Sequence, residues 1–165
     1  MTLISFETAW GTAAIEVQND RPARVILPPI QAGQAADIEA ASAPGEVGEW
    51  IAFLQDYFRG RFRAPPKIDA FFPDGFALSV YRALQGIPAG SITTYKALAT
   101  AIGRPRAYRA VAQALARNPF PIVIPCHRVI RSDGSLGGFS GPNGVEYKRR
   151  LLQHEGATKW LAERS

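Results

Sequence analysis

A proline-rich segment, residues 61–75 (RFRAPPKIDAFFPDG), separates two parts of the chain in which apolar residues repeat differently. Before it, short runs of alternating apolar and polar residues are typical of strands, whereas after it the apolar residues recur every three or four positions, as in amphipathic helices. Its three prolines and its change in the sign of charge mark it as a linker. We therefore predict an α+β chain with one domain at residues 1–72 and another at residues 73–165.

The first domain is expected to contain a small antiparallel sheet, with strands at residues 4–10, 13–18 and 23–29. Residues 48–58 place large apolar side chains at helical spacing, and Gly60 follows where such a helix is expected to end. This helix should cover one face of the sheet.

The second domain reads as mainly helical, with helices at residues 76–87, 93–103, 105–118 and 143–156. Thr94 is placed as a cap of the second of these helices, and Pro105 stands just inside the start of the third. A glycine-containing turn joins this pair, which resembles a helix-turn-helix. Residues 120–130 (FPIVIPCHRVI) form a β-branched run that we expect to be extended.

Charge is distributed unevenly between the two parts. Residues 1–74 contain six Lys and Arg against ten Asp and Glu, a net charge of −4, whereas residues 75–165 contain thirteen against four, a net charge of +9. The basic part is the natural candidate for contact with a polyanion such as nucleic acid, although ordinary solvated charge explains the same numbers.

Composition narrows the class of protein. The chain has no run of 18 apolar residues, and its start, MTLISFETAW, lacks the basic and apolar regions of a signal peptide, so we predict a cytoplasmic protein. With one cysteine and two histidines, it cannot form an internal disulfide and offers a poor set of zinc ligands. We expect no metal and no cofactor.

Cys126 is followed by His127 and Arg128, which supply a base and positive charge to a nucleophilic thiol. On an extended chain the thiol and the imidazole point to opposite sides, so the histidine would act through a water or a turn. Glu155 is the candidate for the acid that orients this histidine. From these residues alone, an inert cysteine in an apolar strand remains the competing interpretation.

The run from Pro125 to Val129, Pro-Cys-His-Arg-Val, resembles the active-site motif of the methylated-DNA–protein-cysteine methyltransferases, also called O6-alkylguanine-DNA alkyltransferases. The resemblance covers residues 76–156, in which further family motifs keep their order and approximate spacing: Thr94-Tyr95, Arg109-Ala110-Val111, Asn118-Pro119, Ser140-Gly141 and His154-Glu155-Gly156. The resemblance implies a ribonuclease H-like first domain and a winged helix-turn-helix type of second domain. It also implies irreversible transfer of an alkyl group from O6-alkylguanine in DNA to Cys126.

The resemblance also implies roles for individual residues. His127 and Glu155 would generate the thiolate through water, and Asn118 would hold the active-site turn, or simply cap a helix before Pro119. Tyr95 would donate a proton to the leaving base, or serve as an amphipathic residue near a helix start. Contacts with DNA are implied for Arg109, Tyr95, Lys96, Arg104, Arg106, Ala110, Gln113 and Ser132. The substrate pocket is implied to contain Tyr95, Val129, Leu136, Gly137, Phe139 and Ser140.

Arg109 matches the family's arginine that enters the base stack after the target nucleotide has been extruded. Helical geometry supports this assignment, because one polar stripe flanked by alanines contains Arg106, Arg109, Gln113 and Arg117. The opposite side of the same helix carries Tyr108, Val111 and Leu115. A solvated arginine face is the competing interpretation of this stripe.

Three departures from the family pattern are visible: Phe139 replaces a common tyrosine, Tyr108 and Ala112 replace a common alanine and glycine, and the zinc site of some relatives has no counterpart. Two other functions compete, a lesion-binding alkyltransferase-like protein without repair activity and a Cys-His acyl transferase or hydrolase. The presence of Cys126 argues against the first, and the arginine stripe is unexplained by the second. A transcription regulator would need a further domain. The expected partner is double-stranded DNA, bound through its minor groove by a monomer.

Overall fold

The computed structural model describes residues 1–31, 38–39, 43, 45–139 and 144–157. The chain divides into two compact units, one made of residues 1–66 and 119–123 and the other of residues 67–118 and 124–165. The boundary expected after residue 72 lies close to this division, whereas the inclusion of residues 119–123 in the first unit was not predicted.

The first unit is built on a four-stranded sheet. Its strands are β1 (Thr2–Thr8), β2 (Gly11–Gln18), β3 (Arg21–Ile26) and β4 (Ile38–Glu39), arranged in the order β3-β2-β1-β4. The first three strands are antiparallel, and β4 pairs parallel with β1. The tight connection between β2 and β3 places Asn19 and Asp20 at positive φ, a conformation that these two residue types tolerate.

Helix α1 (Gly45–Phe58) contributes seven buried side chains to the first unit. It begins three residues before the predicted helix, and Gly60, at φ +84°, follows its end as expected. Trp50 is fully buried and meets Phe120 edge to face, with ring centroids 4.8 Å apart. This contact, together with a hydrogen bond from the Val25 amide to the Pro119 carbonyl (2.9 Å), joins residues 119–123 to the first unit.

Within the part of the chain that is described, the second unit contains four α-helices, a two-stranded parallel pair and the 3₁₀ turns Asp69–Phe71 and Cys126–Arg128. The elements are α2 (Phe76–Gln85), β5 (Thr93–Thr94), α3 (Tyr95–Ala101), α4 (Tyr108–Ala116), β6 (Val129–Ile130) and α5 (Val145–His154). The Thr94 side chain accepts a hydrogen bond from the Ala97 amide (3.0 Å), as expected of a helix cap. Helix α4 packs against α3 and α2, and the Tyr81 hydroxyl donates to the Ala114 carbonyl (2.7 Å).

Two local predictions are wrong. Helix α4 begins at Tyr108 and not near Pro105, because residues 104–107 close a turn through a hydrogen bond from the Ala107 amide to the Arg104 carbonyl (2.9 Å). The run containing the cysteine is not extended, since Ile122 has φ +74° and Cys126–Arg128 form a single 3₁₀ turn. None of the helices in the described ranges combines the length and apolar character needed to cross a bilayer.

Candidate active site

Cys126 begins the 3₁₀ turn that leads into β6. The carbonyl of Ile124 accepts two hydrogen bonds at this point, one from the Cys126 amide and one from Nδ2 of Asn118, each 2.8 Å long. The Arg128 amide closes the turn by donating to the Pro125 carbonyl at 3.0 Å. The turn thus fixes Cys126 between the end of α4, where Asn118 lies, and the buried strand β6.

A buried ion cluster lies directly behind the cysteine. Nε2 of His127 is 2.5 Å from Oε2 of Glu155. Arg128 donates to the same carboxylate through Nε (2.7 Å) and Nη2 (3.0 Å), and its Nη1 donates to the Ile87 carbonyl (2.6 Å). Because the carboxylate receives donors on both oxygens, its position is fixed, and with it the plane of the imidazole.

Burial and the neighbouring ion-pair partner shift the pKa of His127 in opposite directions, and the same is true of Glu155. Burial lowers the pKa of His127 below its ordinary value, and the adjacent Glu155 only partly opposes this effect. For Glu155, burial alone would raise the pKa, but His127 and Arg128 hold it well below the ordinary range. At neutral pH the cluster therefore contains an ionised carboxylate, a guanidinium and a neutral imidazole able to accept a proton.

Lys148 is a second buried cation of the site, and it was not predicted. This α5 residue is fully buried, and its Nζ donates to the carbonyls of Val129 (2.6 Å), Leu136 and Gly138 (3.4 Å). Burial lowers its pKa to about 8, an effect that a thiolate at Cys126 would oppose. Lys148 thereby ties the strand after the cysteine to the loop at residues 136–138.

The thiol itself lies in a half-buried position. Burial raises the pKa of Cys126 above its ordinary value, while the hydrogen bond from Asn118 and the charge of Lys148 lower it. Burial dominates, so the thiol holds its proton in this state and needs a base to become a nucleophile.

A cavity of about 710 Å³ opens onto Cys126. Its lining consists of Tyr95, Lys96, Tyr108, Arg109, Ala112, Leu115, Ala116, Cys126, Arg131, Ser132, Asp133, Gly138 and Phe139. A volume of this size accommodates a drug-sized molecule. The lining combines aromatic rings with basic side chains, which suits a flat, aromatic and negatively charged partner.

Tyr95 is half-buried in this cavity, where Gly137 approaches its hydroxyl closely. A Cβ on Gly137 would lie 3.0 Å from the Tyr95 oxygen, and the φ of Gly137, +74°, is one that side-chain-bearing residues rarely adopt. Burial raises the pKa of Tyr95, a thiolate at Cys126 would raise it further, and the positive charge of Arg131 lowers it. The phenol therefore keeps its proton at neutral pH and is available as a hydrogen-bond donor.

Comparison with known proteins decides the family. Residues 75–157 match the model of the DNA-binding domain of the 6-O-methylguanine DNA methyltransferases. This match covers half of the chain and includes Cys126, His127 and Glu155. The chain belongs to the 6-O-methylguanine DNA methyltransferase family. The resemblance predicted from the motifs is thereby confirmed.

Individual relatives agree with this membership. A methylated-DNA–protein-cysteine methyltransferase of Methanosarcina barkeri is 47% identical over 108 residues, which are 62% of this chain and 63% of the relative. One from Salmonella typhimurium is 42% identical over 118 residues, 71% of this chain and 66% of the relative. The matched parts thus fall just short of two thirds of these relatives' lengths.

A solved structure, Mycobacterium tuberculosis OGT in complex with DNA, extends the similarity beyond the matched domain. It is 27% identical to this chain, superposes with a TM-score of 0.72, and the match covers 95% of this chain and 94% of that one. The predicted α+β fold class is confirmed.

In this 6-O-methylguanine DNA methyltransferase family member, the cavity is lined by six of the site residues predicted from the sequence: Tyr95, Lys96, Arg109, Cys126, Ser132 and Phe139. His127 and Glu155 lie behind the cysteine, and Asn118 beneath its turn. Arg104 and Arg106 are exposed in the turn before α4, so Arg106 does not extend the helical stripe. Ala110 and Gln113 are exposed on α4. Ser140 lies outside the described residues.

Three predicted pocket residues are not part of the cavity lining: Val129, Leu136 and Gly137, the last of which lies against Tyr95. Val129 is fully buried in β6, and its carbonyl accepts a hydrogen bond from Lys148. Leu136 is buried in an apolar cluster with Ile130, Leu152 and Ala157. The backbone of this loop, and not the Leu136 side chain, therefore faces Lys148.

Several site residues were missed, namely the buried Lys148 and, in the cavity lining, Tyr108, Ala112, Leu115, Ala116, Arg131, Asp133 and Gly138. Arg128 was expected to supply positive charge to the thiol, but its hydrogen bonds to Glu155 were not predicted. Lys148 carried a readable signal, because it shares the buried face of α5 with Tyr147, Leu151 and Leu152. Tyr108 was expected on the core side of α4, but it is the first residue of that helix and lines the cavity.

Proposed function

We propose that this protein repairs alkylated double-stranded DNA by transferring the alkyl group from O6 of guanine to Sγ of Cys126. One observation carries the proposal: the cavity that holds Cys126 also holds Tyr95 and Arg109, while His127, the neighbour of Cys126, is oriented by a buried carboxylate. Family membership and the similarity to an OGT solved with DNA support the same function.

The chemistry is a displacement at the alkyl carbon. The Cys126 proton passes through a water to His127, whose other ring nitrogen is held by Glu155, and the thiolate attacks the alkyl carbon. The new S–C bond forms as the C–O6 bond breaks, and the bonding electron pair stays with the guanine. Tyr95, which keeps its proton at neutral pH, supplies a proton to the departing base.

The product is a thioether, which water does not hydrolyse. Each molecule therefore acts once and is consumed, and the step requires neither a metal nor a cofactor. This irreversibility separates the proposal from an acyl transferase or hydrolase, whose thioester is hydrolysed and whose turnover continues.

Access to the alkyl carbon requires the nucleotide to leave the base stack. Arg109 is exposed at the second position of α4 and lines the cavity, which supports our proposal that its guanidinium enters from the minor groove and fills the vacated position. Lys96, Arg104, Arg106, Ala110, Gln113 and Ser132 are proposed as further contacts with the duplex. Cytoplasmic location and a monomeric state stay predictions from the sequence.

The test is the intact mass of the protein after incubation with a duplex containing O6-methylguanine. We expect one addition of about 14 Da per molecule, located on Cys126, and none on a Cys126→Ser variant that still binds the duplex. A protein that binds the lesion without gaining mass would be a non-repairing lesion binder, and sustained release of product from one molecule would indicate a hydrolase.

A further inference from the structure

Five residues of α4 line the cavity: Tyr108, Arg109, Ala112, Leu115 and Ala116. Tyr108, Ala112 and Ala116 follow one another at intervals of four residues, and all three line the cavity. The alanines allow a partner to approach the helix closely. Tyr108 therefore projects the one large ring on this stripe, immediately beside the exposed Arg109.

A cation rests on the ring of Tyr108. Nζ of Lys96, from the first turn of α3, lies 5.4 Å from the ring centroid, within the range of a cation–π contact. Lys96 is exposed and Tyr108 half-buried, so the pair stands at the mouth of the cavity. The contact between Lys96 and Tyr108 joins α3 and α4, the two helices of the helix-turn-helix pair, on the side that lines the cavity with Cys126.

We propose that Tyr108 is a second stacking residue of this site, whose ring packs against the base next to the position that the extruded nucleotide has left, while Lys96 meets the adjoining phosphate. The proposal rests on the proposed function, since it assigns the ring a place on a duplex with one nucleotide extruded. Its occupant is double-stranded DNA.

The chemistry of the pair fits this occupant. A base exposed by extrusion of its neighbour presents an aromatic face that has lost its stacking partner, and an aromatic side chain restores that contact. The ammonium on the ring is held near the surface, where it neutralises a phosphate without first becoming ordered. Arg109 and Tyr108 would then have separate tasks, since the first fills the vacancy and the second covers the neighbouring base.

The experiment measures binding in a Cys126→Ser background, so that no transfer intervenes. Dissociation constants are compared for an O6-methylguanine duplex and an unmodified duplex of the same sequence, over a range of salt concentrations. The variants are Tyr108→Ala, Tyr108→Phe and Lys96→Met. Lys67→Met is the matched control, since it removes an exposed lysine of the same unit that lies outside the cavity lining.

Tyr108→Ala should weaken binding to the lesion duplex by about five- to hundredfold, the range for loss of one base–aromatic stack. It should weaken binding to the unmodified duplex less, and Tyr108→Phe should restore most of the loss. Lys96→Met should reduce the salt dependence by about one unit of slope, and Lys67→Met should leave it unchanged.

The proposal is overturned if Tyr108→Ala binds the lesion duplex as tightly as its parent, if both duplexes lose affinity equally, or if Tyr108→Phe is as weak as Tyr108→Ala. Far-ultraviolet circular dichroism of each variant identifies loss of fold, and in that case Tyr108→Leu, which keeps apolar bulk without a ring, replaces the alanine. Absence of methyl transfer by the wild-type protein would refute the proposed function alone, because these measurements involve no transfer.

Discussion

Arg128 holds the carboxylate of Glu155 from two directions, through Nε at 2.7 Å and Nη2 at 3.0 Å, in a part of the protein where the carboxylate side chain is fully buried. The same carboxylate holds Nε2 of His127. Arg128 therefore acts on His127 indirectly. It fixes the carboxylate of Glu155, and that carboxylate in turn orients the imidazole.

Replacing Arg128 with methionine should destabilise the protein strongly. The substitution leaves Glu155 charged, buried and short of two donors, and breaking a buried ion pair in this way costs about 3–5 kcal/mol. Chemical denaturation monitored by circular dichroism measures the loss. Arg149→Met is the control, because Arg149 is an α5 surface residue 3.8 Å from the exposed Glu146, and such pairs contribute under about 1 kcal/mol. Similar losses in the two variants would contradict the assigned role.

Stability should depend on pH through Glu155. Because its pKa is lowered in the folded protein, its contribution is present above its ordinary pKa of 4.5 and is lost as the pH falls below that value. The difference in unfolding free energy between wild type and Glu155→Gln should therefore be constant near neutrality and shrink in acid. Glu146→Gln, an exposed acid on the same helix, should show no comparable trend. If the difference in unfolding free energy instead grows in acid, folding does not lower the pKa of Glu155 and the prediction is wrong.

The sequence predicted local structure best at helix caps, helix ends and chain breaks, where a residue type has one main structural role. Thr94 caps α3, Gly60 ends α1, and the proline-rich segment lies close to the division between units, because caps and chain breaks depend on local backbone chemistry. The motif also identified His127 and Glu155 together, although 28 residues separate them, and they meet in the structure.

Prediction failed where distant parts of the chain decide the conformation. β-branched residues around Ile124 favour an extended strand, but Ile122 turns at φ +74°, and the packing of residues 119–123 into the first unit accompanies this turn. Lys148 was overlooked because lysine is normally exposed. Its place on the apolar face of α5 indicates burial, but the three distant carbonyls that bind its ammonium are not visible in the local sequence. Local propensity carries no information about such partners.

Gly137→Ala should impair alkyl transfer through Tyr95. The added Cβ would lie 3.0 Å from the Tyr95 hydroxyl oxygen and must displace the phenol, while the positive φ costs an alanine about 1–2 kcal/mol. Gly103→Ala is a close control, because Gly103 has nearly the same φ, +76°, and a Cβ added there would meet none of the described residues beyond its chain neighbours within 4 Å. Single-turnover rates with the O6-methylguanine duplex should fall for Gly137→Ala well below those for Gly103→Ala. Equal rates would remove Tyr95 from the proposed proton transfer.

Arg109→Ala should separate extrusion of the nucleotide from the chemistry that follows it. If the guanidinium fills the vacated position, its loss leaves base extrusion uncompensated by a few kcal/mol, and transfer from the duplex slows strongly. Free O6-benzylguanine needs no extrusion, so the ratio of the duplex rate constant to the free-base rate constant should fall. Arg104→Ala and Arg106→Ala, exposed in the preceding turn, should instead weaken binding on all sequences alike and lower its salt dependence by about one unit of slope each. The measurement is a pair of single-turnover rate constants for wild type and each variant. An unchanged ratio for Arg109→Ala would mean that Arg109 supports the cavity or the fold, and its assignment as the inserted residue would have to be abandoned.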